Sequence, residues 1–465
     1  MSAPGFEEWR STGMVAAELL DPTYPTRGAS TWFPHGYRLA GAVVRTAAEH
    51  LERLGYEELG LPAFVSTKDF QRQAEHIKSF LDRVYLARPA PCDGEQIIKS
   101  TVEAQLCAIF SNWCKQGRPM PYRVQSVRAV GRYETGKTAP LWKERVVWPF
   151  FEAHAALVGD VNGELAALNR ATYAFCSQLC LPVIGVERVK VNRRLNEYAH
   201  RRLEGITVMP SGRITVLTSI YDLGDRFSRV FDVRAPDGLY PAMANFAFSG
   251  RLVLAMLGHC FRERAPIHAP AVAPIQVAVL PTRSDDVLLV REAERLVEVL
   301  GQAGVRARAF MDARSFQARQ EYAQALGAPA HLLVGPREME EHRASVRLGP
   351  DKTVKQLPLE QFLSHPSGLL EQAHEELWRV NRERMRGQLV EVEVFAHLSG
   401  LLAEGRTAIM GLCGEQECIA RLEQEPAGEL IGRMLEPERP AACCGVCFAK
   451  ANQTILFGVK YSGEK

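Results

Sequence analysis

Three groups of residues in this chain have types and spacings that could do chemistry. Residues 131–138, GRYETGKT, fit G-x-x-x-x-G-K-[ST], the pattern of a phosphate-cradling P-loop. Such a loop wraps backbone N–H groups around phosphates and must open a helix. Here Arg132, Tyr133 and Glu134 put bulk into the turn, and the following APLWKERVVWPFFEAH reads as loop and then strand. No later apolar run ends in a convincing magnesium-binding Asp, so the P-loop is set aside. Its charges still matter. Arg132 and Glu134 lie two apart, on one face of a predicted strand. There a guanidinium can grip a phosphate with two hydrogen bonds, and a carboxylate can accept from an adenine amino group. Such a pair is also what an ordinary strand surface carries.

The second group is FFEAH, in which Phe150, Glu152 and His154 alternate onto one strand face, together with Thr101 and Glu103 of STVEAQL. Taken alone, Glu-x-His on an apolar strand reads as a core pair, and Thr101 near an acid reads as a helix start. The third group is cysteine. Cys413-x4-Cys418 and Cys444-x2-Cys447 offer two chelating pairs of thiolates, a set suited to tetrahedral zinc rather than magnesium or calcium. Cys443 is adjacent and could replace Cys444; buried free thiols are the alternative. A zinc held by four protein ligands would be structural.

The elements that must position these groups follow from pattern. Residues 36–54 carry Leu39, Val43, Ala47, Leu51 and Leu54 at helical spacing, followed by a short strand containing Pro62. Residues 98–113 read as helix. Segments 122–130 and 146–159 read as the two strands of a long antiparallel hairpin with GRYETGKT at its tip. A strand runs into an apolar helix near Arg251. After a Pro-rich stretch at 268–281 the pattern alternates strand and helix, the rhythm of a small α/β domain. Residues 370–396 read as a charged helix. Three domains are expected: 1–270, 271–370 and 371–465.

The 465 residues allow an ample core, and 46% hydrophobic with 24% charged residues is ordinary for a globular protein. A net charge of +2 confines any RNA-binding surface to a local patch. No run reaches the ~18 apolar residues of a membrane span, and MSAPGFEEWRSTGM has no apolar core of a signal peptide. Eleven cysteines, scattered until five crowd near the C-terminus, suit a reducing cytoplasm.

RYETGKTAPLWKERVVWPFFEAH resembles motif 2 of class II aminoacyl-tRNA synthetases, and closely that of the archaeal and eukaryotic prolyl type. The likeness continues in order along the chain. RGASTWFPHGYRLAGAVVRTAAEHLERLGYEELGLPAFVS resembles motif 1, ending at Pro62, and STVEAQL the Thr-x-Glu segment. FSGRLVLAML resembles motif 3. APAVAPIQVAVLP and LGAPAHLLVGPREMEEHRASVRLGPDK resemble the anticodon-binding domain, and CGEQEC with CGVC the C-terminal zinc-type domain. The implied fold is α/β: an antiparallel α+β catalytic sheet flanked by helices, a βαβ anticodon-binding domain and a small zinc domain. The implied reaction is attack of an amino-acid carboxylate on the α-phosphate of ATP, then transfer to tRNA of proline type, in a homodimer. By the family's pattern Arg132 takes the α-phosphate, Glu134 the adenine, Arg145 the phosphate tail and Arg251 the far phosphates, with Mg2+ bridging. Thr101 and Glu103 would hold the substrate nitrogen, and Phe150, Glu152 and His154 the amino-acid pocket.

The chain departs from the family at the pocket. Where the family reads D-G-R-A-L-Q-x-G-T-S-H before Leu-Gly, this chain has SGRITVLTSIYDLG. Aligned on Leu223-Gly224, Val216, Thr218, Ser219, Ile220 and Tyr221 stand for Gln, Gly, Thr, Ser and His; a slipped alignment keeps Thr218 and Ser219. Phe246 and Ala247 replace a Trp-Gly pair, Val146 stands where an acid follows the second arginine, and a KFAGA-like stretch is represented by LNEYAH. Three readings follow: a prolyl-tRNA synthetase with a divergent pocket, a paralogue activating another or modified amino or imino acid for tRNA or a carrier protein, and a non-catalytic RNA-binding scaffold. Retention of all four ATP-handling residues argues against the third. No large insertion for editing lies between motifs 2 and 3.

Overall fold

The hairpin expected from the sequence organises the molecule. The computed structural model describes residues 5–74, 84–88, 95–189, 199–349 and 353–461. After a two-residue strand, β1 (Glu57–Glu58), strands β2 (Tyr122–Gly131) and β3 (Val146–Leu157) pair antiparallel, with Val124 opposite His154 and Ser126 opposite Glu152. Strands β4 (Ile184–Glu187), β5 (Arg201–Val208), β6 (Ile214–Gly224) and β7 (Ala242–Ser249) extend the antiparallel sheet, β7 lying between β6 and β3.

Side chains alternate between the two faces of this sheet, and the faces are covered differently. On the back, Phe151, Phe246, Phe248 and Ile220 join one apolar core with helices α1 (Pro34–Glu52), α3 (Val161–Gln178) and α5 (Gly250–Cys260). Asp160 starts α3 by accepting from the N–H groups of Asn162 and Gly163, which are otherwise unpaired in a first turn. On the front, α2 (Glu103–Lys115) and the short α4 (Arg226–Phe231) cover Tyr122, Val124, Ala156 and Met243. The rest of the front face, beyond the first residue of α2, is left for the site.

The second unit is a five-stranded sheet. Strands β8 (Val277–Pro281), β9 (Ala307–Ala309) and β10 (Ala330–Val334) are parallel, and β11 (Arg343–Leu348) and β12 (Thr353–Pro358) continue antiparallel. Helices α6 (Val287–Gln302) and α7 (Phe316–Ala325) supply the crossovers. The C-terminal strands β13 (Leu389–Glu391), β14 (Thr407–Leu412), β15 (Glu429–Met434) and β16 (Gln453–Gly458) do not form a sheet of their own. Pairing of Arg433 with Glu187 joins β15 to β4, so the main sheet runs β13-β14-β16-β15-β4-β5-β6-β7-β3-β2-β1, eleven strands in all.

Three expected boundaries shift. The helix expected from residue 98 opens at Glu103, because Gln96–Ile98 is a strand paired with Phe64–Ser66. Pro62 lies between strands rather than inside one, as its missing N–H would predict. The charged helix expected over 370–396 spans Pro366–Arg386, and the next Leu-Val pair enters the sheet as β13. Among the described residues no helix is long and apolar enough to cross a membrane.

Candidate active site

Strand register assembles the pocket floor. Ser126, Glu152, Ala247, Ser219 and Glu204 lie side by side across β2, β3, β7, β6 and β5. The adjacent row on the same face holds Val124, His154, Asn245, Tyr221 and Arg202. Phe150, opposite Ser249, stands one step beyond Glu152. The start of α2 sets Glu103 over these rows, with Thr101 just before it.

Glu103, Glu152 and His154 are all buried, and their nearest ligand-type atoms lie within 4.8 Å of one another. The Thr101 hydroxyl contacts both carboxylates: it lies 3.0 Å from Glu152 Oε1 and also touches Glu103 Oε2. Burial, and then the Glu103 charge, push the Glu152 carboxyl up to about 8, against the opposing pull of Arg132. Burial holds His154 down to about 4, so the ring is neutral; its Nε2 is 2.7 Å from Asn245 Nδ2 and 4.0 Å from Glu103 Oε1. A pocket with a carboxylate, a second carboxyl that ionises at about 8 and a neutral imidazole suits a cationic nitrogen.

The arginines bound the other side. Strand β2 ends at Gly131, so Arg132 and Glu134 sit in the extended connection rather than on a strand. The expected alternation survives: Tyr133 is exposed while Arg132 and Glu134 are half-buried. Arg132 donates to the Ser100 carbonyl at 3.2 and 3.1 Å and stacks 4.6 Å over the Phe150 ring. Desolvation lowers its pKa, while Glu152 and Glu103 oppose the shift. Arg145 donates to the Glu134 carbonyl at 3.0 and 2.9 Å and covers the Tyr133 ring at 4.5 Å. Arg251, in the first turn of α5, donates to the Trp142 carbonyl at 2.9 Å and stacks 4.4 Å over its ring. Desolvation and the like charge of Arg132 both lower the Arg251 pKa, which places the two guanidiniums in one electrostatic neighbourhood.

The altered segment divides by face. Ser219 and Tyr221 belong to the site face, and the phenol feels Glu103 and the hydroxyl of Ser219. Ile220 points the other way into the back core, fully buried. Val216 packs with Val186 and Ile206, one bulge further along β6. Of the expected rebuilt wall, Tyr221 is the part that faces the pocket. LNEYAH falls outside the described residues up to position 198.

Two residues of this neighbourhood escaped the sequence reading. Lys99 is 1% exposed, donates to the Pro62 carbonyl at 3.2 Å, and is held down to about 8 by burial and Arg128 while Glu152 pulls it up. A lysine ending the apolar run IIK beside Thr101 was the available signal. Asn245 was legible only once the register of β7 against β3 was known.

Far from the cleft, the sulfurs of Cys413, Cys418, Cys444 and Cys447 gather within 4.8 Å, Cys413 and Cys447 being 3.7 Å apart. Cys443 is exposed and lies outside this cluster.

The model of the tRNA synthetase class II core domain (G, H, P, S and T) matches residues 89–260, the region that carries every cleft residue described above. The chain carries a class II tRNA synthetase core. The anticodon binding domain model matches residues 276–365, the five-stranded unit. Among curated class II synthetases, a proline--tRNA ligase of Thermococcus kodakarensis is 26% identical over 98% of both chains. One from Methanopyrus kandleri is 27% identical over 98% of this chain and 96% of its own. The fold matches Giardia lamblia prolyl-tRNA synthetase in complex with prolyl-adenylate at a TM-score of 0.89 and 20% identity, over 98% of both chains. It also matches the Cryptosporidium parvum enzyme complexed with halofuginone and AMPPNP, at 0.88 and 18% over 99% of this chain and 97% of that one.

Proposed function

We propose that this class II synthetase activates proline with ATP and transfers the prolyl group to tRNA. The observation that carries the reading is the convergence of Arg132, Glu103, Glu152 and His154 on one sheet face within a full-length likeness to proline--tRNA ligases. The amino-acid nitrogen would lie against Glu103 and Thr101. Its carboxylate would lie towards Arg132 and attack the α-phosphate, expelling pyrophosphate. Arg132 and Arg251 neutralise charge that builds on phosphate oxygens; Glu134 and Arg145 hold the adenine end and the phosphate tail. Magnesium arriving with ATP would add charge neutralisation. Such a reaction needs positioning and electrostatics more than a covalent nucleophile.

The anticodon binding domain favours tRNA over a carrier protein as acceptor. A homodimer through α1, the helix that resembles motif 1, is part of the proposal; Tyr37 on that helix is exposed. The four clustered thiols fit zinc: tetrahedral Zn–S bonds of about 2.3 Å require sulfurs about 3.8 Å apart, close to the Cys413–Cys447 spacing. The metal would stabilise the C-terminal fold and take no part in the reaction.

Amino-acid-dependent pyrophosphate exchange over a panel including proline and its analogues tests the reading. A proline-dependent signal, with charging of proline-type tRNA, is expected. A signal with another amino acid alone, or with none, overturns it.

A further inference from the structure

The wall residue Tyr221 is connected to the C-terminal module by charge. Arg202 lies opposite Tyr221 in the β5–β6 register and places its guanidinium 5.2 Å from the ring centroid. The same guanidinium pairs with Glu204, which is 0% exposed. The second oxygen of Glu204 accepts from Arg188 Nε at 2.6 Å. Arg188 in turn donates through Nη1 to the Ile431 carbonyl of β15 at 2.8 Å. One buried carboxylate therefore holds two guanidiniums, one against the pocket wall and one against the module that carries the cysteine cluster.

A carboxylate with no solvent exposure is tolerated only while its partners stay in place. Removing Arg188 leaves Glu204 to Arg202 and draws that guanidinium from the ring towards the carboxylate. Removing the Glu204 charge releases both guanidiniums. Either change reaches the pocket at Tyr221, and neither touches the arginines that face ATP. The Arg201–Glu187–Arg433 ion pairs cross the same β4–β15 junction but are more exposed, Arg433 being 45% exposed, and run beside the wall rather than into it.

Resting on the proline-activation reading, we propose that Arg188, Glu204 and Arg202 are positioning residues that hold Tyr221 as the amino-acid wall, so that amino-acid selection depends on docking of the C-terminal module. The consequence is a separation of substrates: the relay governs the amino acid and leaves ATP alone.

The test compares Arg188→Ala, Glu204→Gln and, as a control at the same junction, Arg433→Ala in the full chain. In pyrophosphate exchange the first two are expected to raise KM for proline about tenfold, with KM for ATP unchanged within about twofold and Arg433→Ala like wild type. Unchanged proline KM, or an equal rise for both substrates, overturns the proposal. Hydrogen exchange provides a readout independent of catalysis. The 214–224 segment should exchange faster in Arg188→Ala and Glu204→Gln, while 276–365 and the β2–β3 hairpin keep wild-type protection. Unchanged protection of 214–224, or a loss spread over the whole core, overturns the relay. Wild-type protein with no exchange activity for any amino acid would overturn the proposed function instead, and the hydrogen-exchange result would still decide the relay.

Discussion

The hydroxyl of Thr101 lies 3.0 Å from Glu152 Oε1 while also touching Glu103. A hydroxyl has one proton to donate, so both contacts are satisfied together only when one carboxyl carries a proton of its own. Burial and the Glu103 charge place that proton on Glu152, up to about pH 8. The pocket is thus a carboxylate and a carboxylic acid joined through Thr101, and a bound cation makes the second ionisation favourable.

Amino-acid binding should therefore release a proton. Below about pH 8 the free site holds it, and a bound primary or secondary ammonium lowers the Glu152 pKa and expels it. Calorimetry of proline binding in buffers of different ionisation enthalpy should show roughly one proton released at pH 7, and affinity rising with pH until about 8. Buffer-independent heats would mean that the pair does not meet the cation.

The same group sets a pH dependence of stability. Its folded pKa lies above the usual 4.5, so the protonated form favours the fold; that contribution is full below 4.5 and is lost as pH rises to about 8. Glu152→Gln should remove this loss, giving a flatter unfolding curve between those pH values than wild type. Parallel curves would place the shifted group elsewhere.

Arg132→Ala and Arg251→Ala should each reduce pyrophosphate exchange about 100-fold to 1,000-fold, the usual cost of one preorganised donor to developing charge. Because Arg132 also stacks on Phe150 and binds the Ser100 carbonyl, Arg132→Lys should recover the charge without the planar geometry and remain impaired. Activity near wild type in both alanine variants would remove them from the reaction.

The pattern of types and spacing carried much of this site to the page. Glu152 and His154 are legible because a strand alternates, and Arg132 with Glu134 because their alternation continues past the strand end. The same alternation divides the altered segment. Ile220 and Tyr221 are neighbours in sequence and equally unlike the family, yet the pleat sends one into the Phe246 core and the other to the pocket. Arg188 and Glu204 were invisible in the linear pattern: they matter through β15, whose place beside β4 is a long-range pairing with no local signature. The expected separate C-terminal module likewise gives no hint in sequence that it would extend the main sheet.

That division of faces makes a paired prediction. Tyr221→His should alter the KM for proline with little change in stability, since the residue stands on the site face. Ile220→Ser should cost at least the roughly 2–5 kcal/mol typical of truncating a buried Ile, with little effect on proline KM in the folded fraction. Urea unfolding and exchange kinetics on the two variants separate these effects. A selectivity change in the Ile220 variant alone would mean that the wall is shaped from behind.

Metal content offers the cleanest decision between adjacent cysteines. The four gathered sulfurs include Cys444 and exclude Cys443, whose side is exposed and whose backbone instead bridges to Lys450. Protein purified without added zinc should carry one zinc per chain; Cys444→Ser and Cys418→Ser should lose it, and Cys443→Ser should keep it. Loss of metal should expose thiols to titration and destabilise the strands β14 and β16 that frame the cluster, because binding energy at a closed four-thiolate site is folding energy. Pyrophosphate exchange need not vanish with the metal, since no cysteine of the cluster belongs to the cleft. Full titration of the four thiols in native protein, with no metal present, would leave them as ordinary free thiols and the C-terminal fold as self-sufficient.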